Sequence, residues 1–286
     1  MSNRDWQAVR ERVRRFVIDV VEPMEPMYTR GLETALDLQL AGAMAPEANL
    51  IFYGGPNTSD TTLLYVFNEA VARNEAQVLT DSFAHAEASS PVAAASTYYE
   101  SSLIAAALGI TVVSAAGDSN QVDIPASSPY VTAVGGTNVE FNPDGTWKHE
   151  QSWELGGCGL SRVFAQPLWQ KGSYANAKGQ RTIADVSMVV GPSWVKFTGK
   201  WTYADGTSGS APVFAATMLL VDQARKAQGK AQVGFINSLA YQNQAMRNAF
   251  HDITERGSGG CAVSTGYDLA TGVGSPKAAE LAAAIP

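Results

Sequence analysis

Four short apolar runs punctuate the first half of the chain: RFVIDVV (15–21), NLIFY (49–53), QVLTDSF (77–83) and ITVVSA (110–115). Their apolar residues are nearly continuous rather than alternating, which predicts strands buried on both faces of a parallel sheet. Between them, helical periodicity predicts helices over 29–43, 59–73 and 91–108, the second with Ser59 and Asp60 as natural N-cap residues. This strand–helix alternation implies an α/β fold with a doubly wound, mostly parallel central sheet flanked by helices. Further on the pattern changes. Residues 136–153 and 194–205 predict hairpins, the first turning at Pro143-Asp144-Gly145, and PVFAATMLLVDQA after Ser208 predicts a long apolar helix. The tail, 250–276, is a Gly-rich loop carrying acidic residues. No internal repeat, low-complexity tract or linker interrupts the chain, so residues 1–286 are expected to form a single domain.

Composition narrows the function mainly by exclusion. Among 286 residues 45% are hydrophobic, enough for a large core, and the formal net charge is −7. So acidic a chain has no electrostatic reason to bind nucleic acid or an anionic membrane. No run approaches the ~20 apolar residues of a membrane span. Residues 1–15, MSNRDWQAVRERVRR, are charged and helical in pattern and lack the apolar core of a signal peptide, so any export signal is expected upstream of this chain. Cys158 and Cys261 both lie in Gly-rich segments (LGGCGL and SGGCAVS). One disulfide and two unpaired thiols are both compatible with that placement. No Cys/His cluster suggests zinc.

Candidate chemistry begins at DGTSGSAP (205–212), where Gly206 permits a tight turn and Thr207-Ser208 opens the apolar helix. A serine there is either an N-cap or a nucleophile whose Oγ is pushed into a cleft. A nucleophile needs a base, and none of His85, His149 and His251 sits in a context that marks a catalytic imidazole. The alternative is carboxylate. Glu33 and Asp37 in GLETALDLQL stand at i and i+4 on one helix face beside Leu32, Leu36 and Leu40. Partial burial and mutual repulsion would raise one carboxyl of such a pair and let the two share a proton. Asp118, in SAAGDSN directly after a strand, is placed to point into the crevice at the carboxyl end of the sheet. Protonated, it could donate to a developing oxyanion; otherwise it caps a turn. Asp252 and Asp268 bracket the tail loop, where two carboxylates and freed carbonyls would suit Ca²⁺. Gly117-Asp118-Ser119 also matches the GDS motif of a lipase/esterase class, but that class needs a late Asp-x-x-His, which does not occur here. A nucleotide-binding enzyme is excluded for want of GxGxxG or GxxxxGK[ST] after a strand.

Taken in order, Glu-x-x-x-Asp, a strand followed by AAGDS, GTSGSAP, and an Asp-Ile … Gly-Tyr-Asp tail resemble the sedolisin family of serine-carboxyl peptidases, with a subtilisin-like fold. ETALDLQLAGAMAPEANLIFY, ADVSM and TGVGSP extend the resemblance across most of the chain. It implies an acid-acting endopeptidase in which Ser208 attacks, Glu33 is the general base, Asp37 hydrogen-bonds and orients Glu33, and Asp118 completes the oxyanion hole with the Ser208 N–H. It implies peptide binding along Ser82, Phe83 and Ala84, with Ala84 standing where the family commonly has Gly. It implies one Ca²⁺ held by the side chains of Asp252 and Asp268 and the carbonyls of Ile253, Ser264 and Gly266, Ser264 replacing a usual Gly. A monomer acting on protein or peptide substrates, outside the cell or in another acidic compartment, is expected. Family domains carry more chain before the Glu-x-x-x-Asp helix, including a first sheet strand. Only 32 residues precede Glu33, so that strand and a pro-segment are expected to be missing. A non-catalytic remnant that binds peptides or serves as a scaffold is the alternative.

Overall fold

All five residues of TVVSA (Thr111–Ala115) are buried, and their side chains alternate between two cores. Val113 and Ala115 join one apolar cluster with Phe214 and Met218, while Val112 joins another with Phe67, Val71 and Tyr98. A strand of this kind belongs inside a sheet covered on both faces.

The structure, a computed structural model, describes residues 31–174 and 177–286. Its central sheet contains β1 (Val78–Asp81), β2 (Thr111–Ala115), β3 (Thr132–Phe141), β4 (Trp147–Ser152) and β5 (Val186–Val189). β1 pairs β2, β2 pairs β3 and β3 pairs β5, all in parallel, while β4 folds back antiparallel on the far half of β3. The second hairpin is β6 (Ser193–Phe197) with β7 (Lys200–Ala204). Helices α1 (Leu32–Met44) and α4 (Thr207–Ala227) pack together, and α4 also lies on β1, β2, β3 and β5. On the other face α2 (Asp60–Arg73) packs on α3 (Val92–Ala107). Ser59 caps α2 as its sequence predicts, its Oγ accepting from Thr62 N at 3.4 Å. The doubly wound α/β arrangement is therefore the one implied by the hydrophobic pattern. Among the described residues no helix is long and apolar enough to cross a membrane.

One predicted strand is corrected. Residues 49–53 form no strand, and Ile51 and Phe52 are 46% and 39% exposed. Their apolar content suits a strand, but ladder hydrogen bonds require a neighbouring edge. Across from them lies β1, separated by a cavity that both segments line. Residues 15–21, and with them the expected absence of a first strand, lie outside the described residues.

The two cysteines, left open by the sequence, form a disulfide with Cα atoms 6.5 Å apart. It ties the tail loop to a segment that holds the turn after β2, through Gly157 N to Gly117 O and Cys158 N to Gln121 O.

Candidate active site

The end of β2 and the start of α4 meet at Asp118. Its Oδ1 accepts from Thr207 N at 2.9 Å and from Thr207 Oγ1 at 2.7 Å, so a side chain from another element caps the positive end of α4. Thr207 Oγ1 in turn accepts from Gly117 N. Gly206 makes this closeness possible: its φ is 122°, and a Cβ there would stand 2.6 Å from Asp118 Oδ2. The next residue, Ser208, lies in the first turn of α4, where amides have no intrahelical acceptor.

Glu33, in the first turn of α1, faces the Ser208 side chain, whose hydroxyl favours the ionised carboxylate. Burial raises its carboxyl above the usual range, the Ser208 hydroxyl opposes the shift, and nearby Asp118 adds to it. Its Oε1 is buried without a partner. Asp37, one turn on, is raised well above the usual range, first by burial and then by the Glu33 charge. The hydrogen bond Asp37 makes is to Ser82, whose Oγ donates to Oδ1 at 2.8 Å and also approaches Ser208 O at 3.3 Å. Asp37 therefore couples to Glu33 through charge, and to the serine turn through Ser82. Ser82, Ala84, Asp118 and Ser208 line one cavity of about 240 Å³. Phe83 adjoins it, its N–H donated to Asp81 Oδ1 at 2.9 Å.

Two further acids belong to this neighbourhood, and the sequence reading passed over both. Asp81 ends β1, and burial pushes its carboxyl up to about 7 against the Phe83 hydrogen bond, with the Glu33 charge adding. Asp123 lines the 240 Å³ cavity, and burial brings it to about 6. Asp81 lies within a predicted strand, where an acid looks like an interruption. Asp123 lies in a stretch without periodicity. Neither has a motif to announce it.

At the tail, Gly266 N donates to Asp252 Oδ2 at 2.9 Å and Ser264 N to Asp268 Oδ2 at 3.0 Å. Both carboxylates thus converge on the 264–266 turn. Asp268 is 2% exposed, and no ion pair to either acid occurs among the described residues. Ile253 is buried beside Asp252. Asp268 Oδ1 also accepts from Ala270 N, Thr271 N and Thr271 Oγ1, while carboxylates and carbonyls are the donor types that suit Ca²⁺. Among the described residues no group of three or more His, Cys, Asp or Glu side chains is placed to hold a metal ion.

With the geometry in view, the chain can be set beside known proteins. Residues 31–267 match the subtilase family. The chain belongs to that family. Among curated proteins this subtilase is 35% identical over 278 residues to kumamolisin from Bacillus sp. (strain MN-32), spanning 85% of this chain and 49% of the relative. It is 29% identical over 292 residues to tripeptidyl-peptidase 1 from Canis lupus familiaris, spanning 86% and 50% respectively. The chain thus covers about half the length of these relatives. Pseudomonas sedolisin, a serine-carboxyl proteinase solved with two molecules of pseudo-iodotyrostatin, superposes with a TM-score of 0.78 at 26% identity. That match covers 88% of this chain and 77% of the other. The sedolisin homology implied by the ordered motifs is therefore present in both sequence and fold.

The imidazoles of this subtilase have other neighbours. His85 Nε2 stands 3.1 Å from Asp60 Oδ1, and His149 Nδ1 stands 3.5 Å from Glu255 Oε1. His251 stacks on Trp147 with ring centroids 4.8 Å apart. None lines the cavity at Ser208.

The buried acids have a consequence for stability. Glu33, Asp37, Asp81 and Asp123 all hold protons more tightly folded than unfolded, where carboxyls titrate near pH ~4. Their contribution is complete below that range. It is lost as pH rises through about 6 for Asp123 and about 7 for Asp81. Each pKa unit corresponds to ~1.4 kcal/mol, so Asp81 alone contributes on the order of 4 kcal/mol. Thermal unfolding followed from pH 4 to 8 is expected to show Tm falling towards neutrality. A Tm that rises over this interval would contradict these shifts.

Proposed function

We propose that this chain is the catalytic domain of an acid-acting serine-carboxyl endopeptidase, a hydrolase of protein or peptide substrates. The supporting observation is the half-buried Glu33 carboxyl set beside the Ser208 side chain, with buried Asp37 one turn behind. Ser208 Oγ adds to the scissile carbonyl as Glu33 takes its proton, and Glu33 then returns that proton to the leaving amine. Water enters by the same route in reverse and releases the acyl group. Asp37 keeps Glu33 poised by holding a shared proton towards the otherwise unpartnered Oε1. Asp118 and the Ser208 N–H receive the oxyanion, with Asp118 Oδ1 anchored on Thr207 and Oδ2 left as the donor. An extended peptide would lie along Ser82, Phe83 and Ala84.

This chemistry is acidic by construction. Asp118 donates only while protonated, and the Glu33/Asp37 pair works with one proton between two carboxyls, titrating as a unit. Hydrolysis of an internally quenched peptide is expected to peak in acid and to vanish towards neutrality. A maximum above pH 7 would end the proposal. A serine-directed fluorophosphonate applied in acid should label Ser208. Folded protein that resists labelling would favour a non-catalytic peptide-binding or scaffold module. Action on the internally quenched peptide, rather than on tripeptidyl anilides, is the outcome expected of an endopeptidase. An acidic or extracellular compartment and a monomeric state accord with this use.

Ca²⁺ is proposed at the tail loop, held by the side chains of Asp252 and Asp268 and the carbonyls of Ile253, Ser264 and Gly266. The ion would neutralise the two acids and fix the loop. Binding to the native state alone stabilises it, by ~2.7 kcal/mol at a hundred times Kd. EDTA is expected to lower Tm and added Ca²⁺ to restore it. In Asp268→Ala that response should be gone, whereas a chelator without effect on the unaltered chain would remove the ion from the account.

A further inference from the structure

Past Ala116, whose N–H still bonds Val134 O in β3, the chain leaves the sheet in a turn that other segments hold. Gly117 and Asn120 both take positive φ, 105° and 50°, with Asp118 and Ser119 between them. On one side the start of α4 grips this turn: Gly117 N donates to Thr207 Oγ1 at 3.1 Å, and Asp118 Oδ1 accepts from the same threonine. On the other side lies segment 154–158, outside any strand or helix. Gly157 N donates to Gly117 O at 2.6 Å, Asn120 N to Leu155 O at 3.1 Å and Cys158 N to Gln121 O at 3.1 Å, while Asn120 Nδ2 donates to Glu154 O at 2.9 Å. The contact is backbone on backbone, since a Cβ at Gly157 would stand 1.9 Å from Ala116 O. Cys158 closes this segment with its disulfide to Cys261. The far anchor is itself fastened to the end of β4. Ser152 N donates to Glu255 O at 2.9 Å and Gly257 N to Ser152 Oγ at 3.2 Å. Arg256 then reaches the carbonyls of Gly259 and Gly260, just ahead of Cys261.

We propose that Cys158 and Cys261 are positioning residues for Asp118: their disulfide clamps 154–158 against the 117–121 turn and so fixes the oxyanion acid relative to Ser208. This rests on the peptidase reading above and deepens it. Asp118 Oδ1 is committed to Thr207, so the direction of Oδ2 is set by the backbone of the turn. Gly117 reaches φ of either sign at little cost, and it needs an outside contact to keep that backbone in one place. The contact is segment 154–158, and its own hold is the cross-link. Geometry at this point is worth much: a misplacement of about 1 Å can cost 10²-fold in rate, and one oxyanion donor contributes ~10²–10³. A cross-link spanning 103 residues also restricts the unfolded chain, but that effect carries no dependence on Asp118. The two roles therefore differ in what they predict.

Peptide hydrolysis and hydrogen exchange on the full chain, both measured well below Tm, separate them. In Cys158→Ala/Cys261→Ala, kcat on the internally quenched peptide is expected to fall about 10–10²-fold with KM little changed. Amides of 117–121 should exchange faster while those of 111–115 stay protected. In an Asp118→Ala background the same cysteine changes should cost nothing further, because the disulfide acts through that carboxyl. A lower Tm with kcat and the exchange of 117–121 unaltered would make the bond a staple for the fold alone and overturn the proposal. So would losses that multiply with Asp118→Ala. Should the cysteine variant fail to fold, Gly157→Ala keeps the disulfide and presses the clamp away from Ala116 O. The same fall in kcat is expected there, and an unchanged kcat would refute the placement. If the unaltered chain hydrolyses nothing, the peptidase reading fails on its own account, and exchange still decides on the clamp: faster 117–121 amides in the cysteine variant support it, and indifference removes it.

Discussion

Ser208→Ala is expected to lower kcat/KM by about 10⁶-fold, the scale seen when a serine peptidase loses its nucleophile. Glu33→Gln should cost nearly as much. The amide is isosteric and can still hydrogen-bond Ser208 Oγ, but it cannot take the proton. Because the two act as one unit, Ser208→Ala/Glu33→Gln should be no slower than Ser208→Ala alone. That non-additivity is the sharper result, since two independent defects would multiply. His85→Ala, His149→Ala and His251→Ala should leave the chemical step intact, each imidazole having its partner elsewhere. Loss of turnover in a folded histidine variant would return an imidazole to the mechanism. Glu33→Gln also removes a charge that raises Asp37 and Asp81, so it should not destabilise the fold at neutral pH and should raise Tm there. Activity and stability moving in opposite directions is the mark of an acid kept for chemistry rather than for packing.

The strands and helices of the α/β frame were legible because burial on two faces leaves a continuous apolar run, as in TVVSA, that polar spacing cannot imitate. The same pattern misassigned 49–53, because a strand's existence depends on a neighbour and hydrophobicity records only the tendency to be buried. That Glu33 and Asp37 share one helix face was legible from i,i+4 spacing, and the opening of an apolar helix at Ser208 from the glycine turn before it. The bond from Asp37 to Ser82 was not, since it joins residues 45 positions apart through tertiary packing. Asp81 and Asp123 escaped for a related reason. A carboxyl acquires its character from what surrounds it, and their surroundings come from β1, α1 and the turn after β2 together. The disulfide was undecidable at a separation of 103 residues until loop positions were known.

Asp185→Ala is expected to destabilise the fold by ~3–5 kcal/mol, the range for breaking a buried ion pair by removing one partner. Asp185 and Arg181 are 1% and 0% exposed and bonded through both carboxylate oxygens, at 2.7 and 2.5 Å. The same carboxylate accepts from Ala133 N in β3, from Asn237 Nδ2 and from Tyr241 OH, so it joins the sheet to the segment after α4. Removing it strands a guanidinium that has only Trp169 across its face and carbonyls beside it, and whose Nε already lacks a partner. Ala133 N and Tyr241 OH lose their acceptor with it, each costing ~1–3 kcal/mol unless water enters, while Asn237 Nδ2 keeps Val131 O. A domain typically holds 5–15 kcal/mol in total, so denaturant unfolding should show a large drop in midpoint. Replacing both partners should be milder: in Arg181→Met/Asp185→Ala no charge is left buried, and the double variant should regain part of the loss. If the double variant is less stable than the single by the full cost of Arg181→Met, the pair is not the source of the effect. The damage would then belong to the Ala133, Asn237 and Tyr241 bonds, which Asp185→Asn retains in part and Asp185→Ala does not.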